Sequence, residues 1–189
     1  SNINSTRMGS GTGGVSFSGT SMAGPMVAGT AAILQQRNRV QKLGLGAADL
    51  GAMLMNYARP VIYQDPNTRT PVSAVRQGAG LVDIWRAGTA QFVARAGDIA
   101  SINLGAVALS EPVTLRRTVT VRTVGRDAPL RLAVSLDRPG DTGFGPAVKV
   151  TGPAQPMSVG AGETVSFDVV FTVDPAALPD WTLYPNPPL

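Results

Sequence analysis

The spacing of apolar residues changes character along the chain, from helical in the first half to alternating in the second. From Thr20 to about Gln36, Met22, Met26, Ala28, Ile33 and Leu34 stand among alanines and glycines, and no polar run appears until Gln35-Gln36-Arg37-Asn38-Arg39. A helix that is apolar nearly all round is a buried one. Covering it takes a large surrounding sheet, more than the rest of this chain offers. The arginines at its far end suit the negative pole of the helix dipole. Leu50, Leu54, Tyr57 and Ala58 repeat at helical spacing and predict a second helix over 47–58, with Asp49 in its first turn and Pro60 as its stop. Met53 and Met55 flank that stripe as packing residues. A short helix is predicted over 84–90, with Asp83 as its N-cap.

Beyond Ala96-Gly97-Asp98 the period becomes two. Val113, Leu115, Val119 and Val121 alternate with Thr114, Arg116, Thr118, Thr120 and Arg122. Leu130, Leu132, Val134 and Leu136 do likewise, as do Val165, Phe167, Val169, Phe171 and Val173. These are half-buried antiparallel strands, separated by turn clusters at Gly125-Arg126-Asp127 and Arg138-Pro139-Gly140-Asp141. Short strands with regular turns predict a β-sandwich. A complete sandwich takes about seven strands in about 100 residues. Five or six are legible after Ser101, and the proline-rich stretch from Pro175 to Leu189 does not read as a closing strand. The sandwich is therefore expected to be incomplete.

Ser21 sits at the start of the first helix, within Gly19-Thr20-Ser21-Met22-Ala23-Gly24-Pro25-Met26-Val27-Ala28-Gly29. Unpaired backbone N–H groups and the positive end of the dipole stabilise negative charge there. The position suits a nucleophile whose attack creates an oxyanion, and small neighbours let a substrate strand approach. The alternative is an ordinary alanine- and glycine-rich helix with a serine cap. The long run of fixed positions resembles the nucleophile motif of the subtilases, the subtilisin-like serine peptidases. Gly78-Ala79-Gly80-Leu81-Val82-Asp83 resembles the stretch that closes their catalytic domain.

The resemblance implies an α/β fold for residues 1–96, as the C-terminal portion of a parallel-sheet peptidase domain. Residues 97–189 are similar to the fibronectin type III-like sandwich of multidomain cell-envelope and secreted subtilases, with Arg117 to Gly125 matching its early strands. The family assigns Ser21 as nucleophile and backbone oxyanion donor. Gly19 and Thr20 shape the turn that exposes the hydroxyl, Met22 and Ala23 continue the motif, and Pro25 seats the helix start. It further implies protein or peptide substrates, an extracellular or cell-envelope location and no required cofactor, with structural calcium a common guest of the full-length proteins.

Composition changes this picture at one point: the chain has no histidine. A Ser-His-Asp triad cannot be assembled from it, and a serine hydroxyl without a base is a poor nucleophile near neutral pH. Lys42 and Lys149 are the only lysines, and neither is spaced for a Ser-Lys dyad. The expectation is the C-terminal part of a longer peptidase whose aspartate, histidine and oxyanion asparagine lie upstream, inactive by itself. The absence of an initiator methionine agrees. The competing class is a non-catalytic spacer or adhesion module with a vestigial peptidase end, and a third is a pseudo-enzyme or an enzyme completed by a second chain.

The remaining features exclude more than they add. The net charge of +4 comes from scattered arginines, a solvated surface and not a nucleic-acid footprint. No apolar run is long enough to span a membrane, and without cysteine there is no disulfide or thiolate site. The glycine-rich run Gly9 to Gly14 lacks the helix and Lys-Ser/Thr that phosphate binding needs. Asp137 and Asp141, with Asp127 elsewhere, fall short of the six oxygens of a calcium site. Trp85, Trp181 and Tyr184 read as packing aromatics, and Asn4-Ser5-Thr6 is the one glycosylation triplet.

Overall fold

The computed structural model describes residues 3–60, 63–65, 67, 70–72, 77–104, 110–124, 130–133 and 147–177. It is a mixed helix-and-sheet structure that divides into two compact units, Ser1–Leu45 and Gly46–Leu189.

The first unit holds a hairpin and one long helix. Strands β1 (Ile3–Thr6) and β2 (Gly14–Phe17) pair antiparallel from Ile3↔Phe17 to Thr6↔Gly14. The glycine-rich run is the loop of this hairpin, with the Arg7 N–H bonded to the Gly13 carbonyl at 2.8 Å and the Ser10 hydroxyl to the Arg7 carbonyl at 2.7 Å. A strand, not a helix, follows the glycines, which removes the geometry of a phosphate loop. Helix α1 spans Thr20–Gln41, five residues further than its apolar pattern suggested.

That extension has a buried polar cause. Asn38 donates to the Leu45 carbonyl at 2.8 Å and accepts from the Leu45 N–H at 3.0 Å, so its amide ties down the chain leaving the helix. Lys42 closes α1 in the left-handed conformation at φ 52°, the usual device for ending a helix though more often given to glycine. Only Thr30, Leu34 and Asn38 of α1 are buried. Met26, Val27, Ile33 and Val40 are exposed. The helix predicted to be buried on all sides is thus largely uncovered by its own unit, since a two-stranded hairpin is far smaller than a sheet able to bury 22 residues of helix.

The second unit encloses its own core. Helix α2 (Ala47–Asn56) packs on strand β5 (Phe92–Arg95) and helix α3 (Ile84–Gly88). Met53 and Val93 are each 1% exposed, so Met53 packs as its sequence position suggested. Asn56 Oδ1 accepts the Ala94 N–H at 2.8 Å. The Tyr57 hydroxyl donates to the Phe92 carbonyl at 3.1 Å and accepts from the Gln91 and Phe92 N–H groups. Strands β3 (Tyr63–Asp65) and β4 (Thr70–Pro71) form a small hairpin between α2 and α3 in sequence.

The main sheet has the order β5-β6-β10-β8, where β6 is Val113–Thr123, β8 Val148–Thr151 and β10 Thr164–Val173. Central strands β6 and β10 pair over ten positions, from Thr164↔Arg122 to Val173↔Val113. Their alternation is the one predicted: Val121 and Val173 are buried, while Arg116, Thr118 and Ser166 face outward. On the outward face Asp168 accepts from Arg116 at 2.9 Å and from Thr118 at 2.8 Å. A second sheet pairs β7 (Leu130–Leu132) with β9 (Met157–Val159), and Pro175–Ala177 form a 3₁₀ turn. Strand β5 precedes residue 96 and β6 follows it, so this sheet joins sequence from both sides of that point.

One ion-pair hub ties the helical and β segments together. The buried carboxylate of Asp49 accepts the Gly46 N–H at 3.2 Å, pairs with Arg95 of β5 at 2.9 Å and lies 3.7 Å from Arg122 of β6. Several expectations lie outside the described residues: the strand positions Val134 and Leu136, the turn acids Asp127, Asp137 and Asp141, and the tail aromatics Trp181 and Tyr184.

Candidate functional site

The approach to Ser21 is a strand, a sharp turn and a helix. Strand β2 ends at Phe17, and Gly19 caps α1 at φ 153°, ψ 168°. That backbone conformation is strained for any residue with a Cβ, so glycine is the residue the turn demands. The Gly19 carbonyl accepts from both the Met22 and Ala23 N–H groups at 3.1 Å. Thr20 and Ser21 are the first two helical residues, and their N–H groups are among those a helix leaves without an internal acceptor. No side chain caps them.

Ser21 is exposed, as are Thr20, Ala23 and Pro25, whereas Met22 is half-buried. A Cβ placed on Gly19 would lie 3.8 Å from the Met22 sulfur, so Met22 packs under the turn. Pro25 sits one turn into α1, where its missing N–H frees the Ser21 carbonyl. The six motif residues therefore cluster at one helix end, with the Ser21 hydroxyl in solvent. Such an end can hold a developing negative charge beside the hydroxyl that generates it.

Neither lysine supplies a base within this unit's geometry. Lys42 closes the opposite end of α1, about 30 Å from Ser21 at the helical rise per residue. Lys149 is an exposed residue of β8. Among the described residues no group of three histidines, cysteines or acids is placed to hold a metal ion, and no helix is long and apolar enough to cross a membrane.

Gly78 to Asp83 takes a structural role. Arg59 and Leu81 exchange backbone hydrogen bonds at 2.9 and 2.8 Å as an antiparallel bridge. Gly80 lies at φ 113° directly against the Arg59 backbone, and any Cβ there would collide with the Arg59 carbonyl. The glycine is explained by close approach of two chain segments. Asp83 caps α3, as predicted, by accepting the Arg86 N–H at 3.0 Å, and it also pairs with Arg59 at 2.9 Å. That second contact was not visible in sequence because it joins residues separated by the whole β3–β4 hairpin.

Trp85 departs from expectation. It is 77% exposed, beside exposed Leu81 and Ile84, because α3 is a short helix whose buried residue is Ala87. It is not a packing aromatic within this chain.

No curated protein matches the chain. A family model, that of the Subtilase family, matches residues 3–121. The match includes the whole Ser21 motif and the Gly78–Asp83 bridge, and it ends within β6. It supports a serine-peptidase-related function, and since it spans well over half of the 189 residues, the chain belongs to the subtilase family.

Proposed function

We propose that this chain is the C-terminal portion of a serine endopeptidase that cleaves peptide bonds through an acyl-enzyme on Ser21. Support comes chiefly from one observation: an exposed serine in the first turn of α1, after a glycine-only turn, within the family match. The Ser21 Oγ would attack the peptide carbonyl carbon while a base takes its proton. The Ser21 N–H would donate to the resulting oxyanion. Collapse expels the amine, which leaves with the proton, and water then hydrolyses the ester. Base, orienting aspartate and oxyanion asparagine would come from polypeptide outside these 189 residues, because the chain has no histidine.

The same polypeptide would cover the exposed face of α1 around Met26, Val27 and Ile33. The period-two alternation of β6 and β10 supports a fibronectin type III-like sandwich toward the C-terminal side of the chain. Protein substrates and an extracellular or cell-envelope location belong to the same proposal. No cofactor is needed for this chemistry, and structural calcium is proposed only for the longer protein.

In subtilisin, loss of the serine or the histidine costs about a millionfold in turnover, a known value for that enzyme. The purified chain should therefore show no casein hydrolysis above background. Steady hydrolysis that Ser21→Ala abolishes would refute the need for an outside base.

A further inference from the structure

We propose that the second unit carries a carboxylate-binding cleft, separate from Ser21, that takes an acidic or C-terminal peptide segment with an apolar neighbour. The cleft has a volume of about 370 Å³ and lies where the end of α2, helix α3, β5 and β7 meet. Its apolar lining is the tilted ring pair Tyr57 and Phe92, with centroids 5.5 Å apart, together with Leu132. Arg86 of α3 and Arg131 of β7 line the same space. Their guanidinium groups have no ion pair or hydrogen bond among the described residues, and both residues are exposed. The acid nearest to Arg86 in sequence, Asp83, is taken by Arg59.

The donors left unused define the ligand. The Tyr57 hydroxyl donates to the Phe92 carbonyl, and the Thr89 hydroxyl donates to the Trp85 carbonyl at 2.9 Å. The Gln91 and Phe92 N–H groups are spent on the Tyr57 oxygen. No backbone N–H nest is left to cradle a phosphate. What remains are two planar forks and the Gln91 amide over an apolar floor. Arginine forks match a carboxylate in two parallel hydrogen bonds, and rings beside them accept an aliphatic or aromatic side chain. A carboxylate attached to an apolar residue uses both halves of the cleft, whereas a bare inorganic anion uses one.

The test uses the full chain, Ser1–Leu189, labelled for NMR, with Gln91 and Phe92 amide shifts as the readout. One probe is N-acetyl-leucyl-glutamate amide, carrying a side-chain carboxylate, and the other is N-acetyl-leucyl-leucine, carrying a terminal one. Saturable shifts are expected with a Kd of about 1 mM, the weak range for a small open site. Arg86→Gln and Arg131→Gln should each weaken binding about tenfold, as loss of a charge-assisted pair does. Arg117→Gln, an equal charge loss on β6, should leave it unchanged. The tighter of the two peptides identifies the source of the carboxylate. Absence of saturable shifts, inorganic phosphate binding as tightly as either peptide, or equal weakening by Arg117→Gln would each overturn the proposal.

Discussion

Residues 1–45 hold a long helix whose own hairpin leaves Met26, Val27, Ile33 and Val40 exposed, whereas residues 46–189 bury Met53, Val93 and Val159 almost completely. The first unit carries the candidate nucleophile; the second carries the closed core. Apolar residues in excess of what their own unit can cover mark a surface built for further polypeptide. Satisfied residues mark a unit that supports itself. In this subtilase the proposed nucleophile lies in the unit whose helix is the more exposed.

The largest effect separating the two units should come from their apolar residues. Met53→Ala removes a fully buried side chain and should destabilise the chain by about 2–5 kcal/mol in urea unfolding. Ile33→Gln, on the exposed face of α1, should change stability by no more than about 0.5 kcal/mol. Equal losses would mean that α1 is covered after all and would break the comparison.

Asp49 sharpens it next. Breaking a buried ion pair costs about 3–5 kcal/mol, and part of that is recovered here because Arg95 and Arg122 keep some contact with solvent. Asp49→Asn should therefore cost about 2–3 kcal/mol in the same urea unfolding series. A neutral result would show that α2, β5 and β6 are held by apolar contact alone.

The smallest effect belongs to the outward face of the sheet. Hydrogen bonds from Arg116 and then Thr118 hold the Asp168 carboxyl below its ordinary value of 3.8. A depressed folded-state pKa adds stability above the unfolded pKa, and that stability is lost as pH falls through the folded value. The difference in urea midpoint between the native chain and Asp168→Asn should therefore be present at neutral pH, begin to shrink below about pH 4 and disappear as pH falls through the lower folded-state value. A difference that persists at low pH would assign the effect to shape and not to charge.

Much of this structure was legible in sequence, and the exceptions share a cause. The start of α1 near Ser21, α2, the Asp83 cap and the alternating strands β6 and β10 are local patterns, so periodicity and capping signals disclosed them, whereas the turn at Gly19 was implied by the family resemblance. The count of five or six strands after Ser101 agrees with the five described, but β8 and β9, only four and three residues long, carry too short an alternation to be placed residue by residue. Asn38 and Asp49 read as a solvated helix end and a first-turn acid. Their burial depends on Leu45 and on Arg95 and Arg122, partners that no local pattern reveals. Trp85 misled in the opposite sense, since a large aromatic predicts burial only where a neighbouring surface exists to receive it.

The most direct test of the central claim is covalent labelling by an organophosphonate probe that reacts only with activated serines, followed by peptide mapping. It should be run on this chain alone and on a polypeptide that adds the upstream peptidase segment that the proposed function requires. The account predicts modification of Ser21 in the longer protein and none in the chain alone. Modification of a different serine, with Ser21 intact, or equal labelling of Ser21 in both proteins would contradict it.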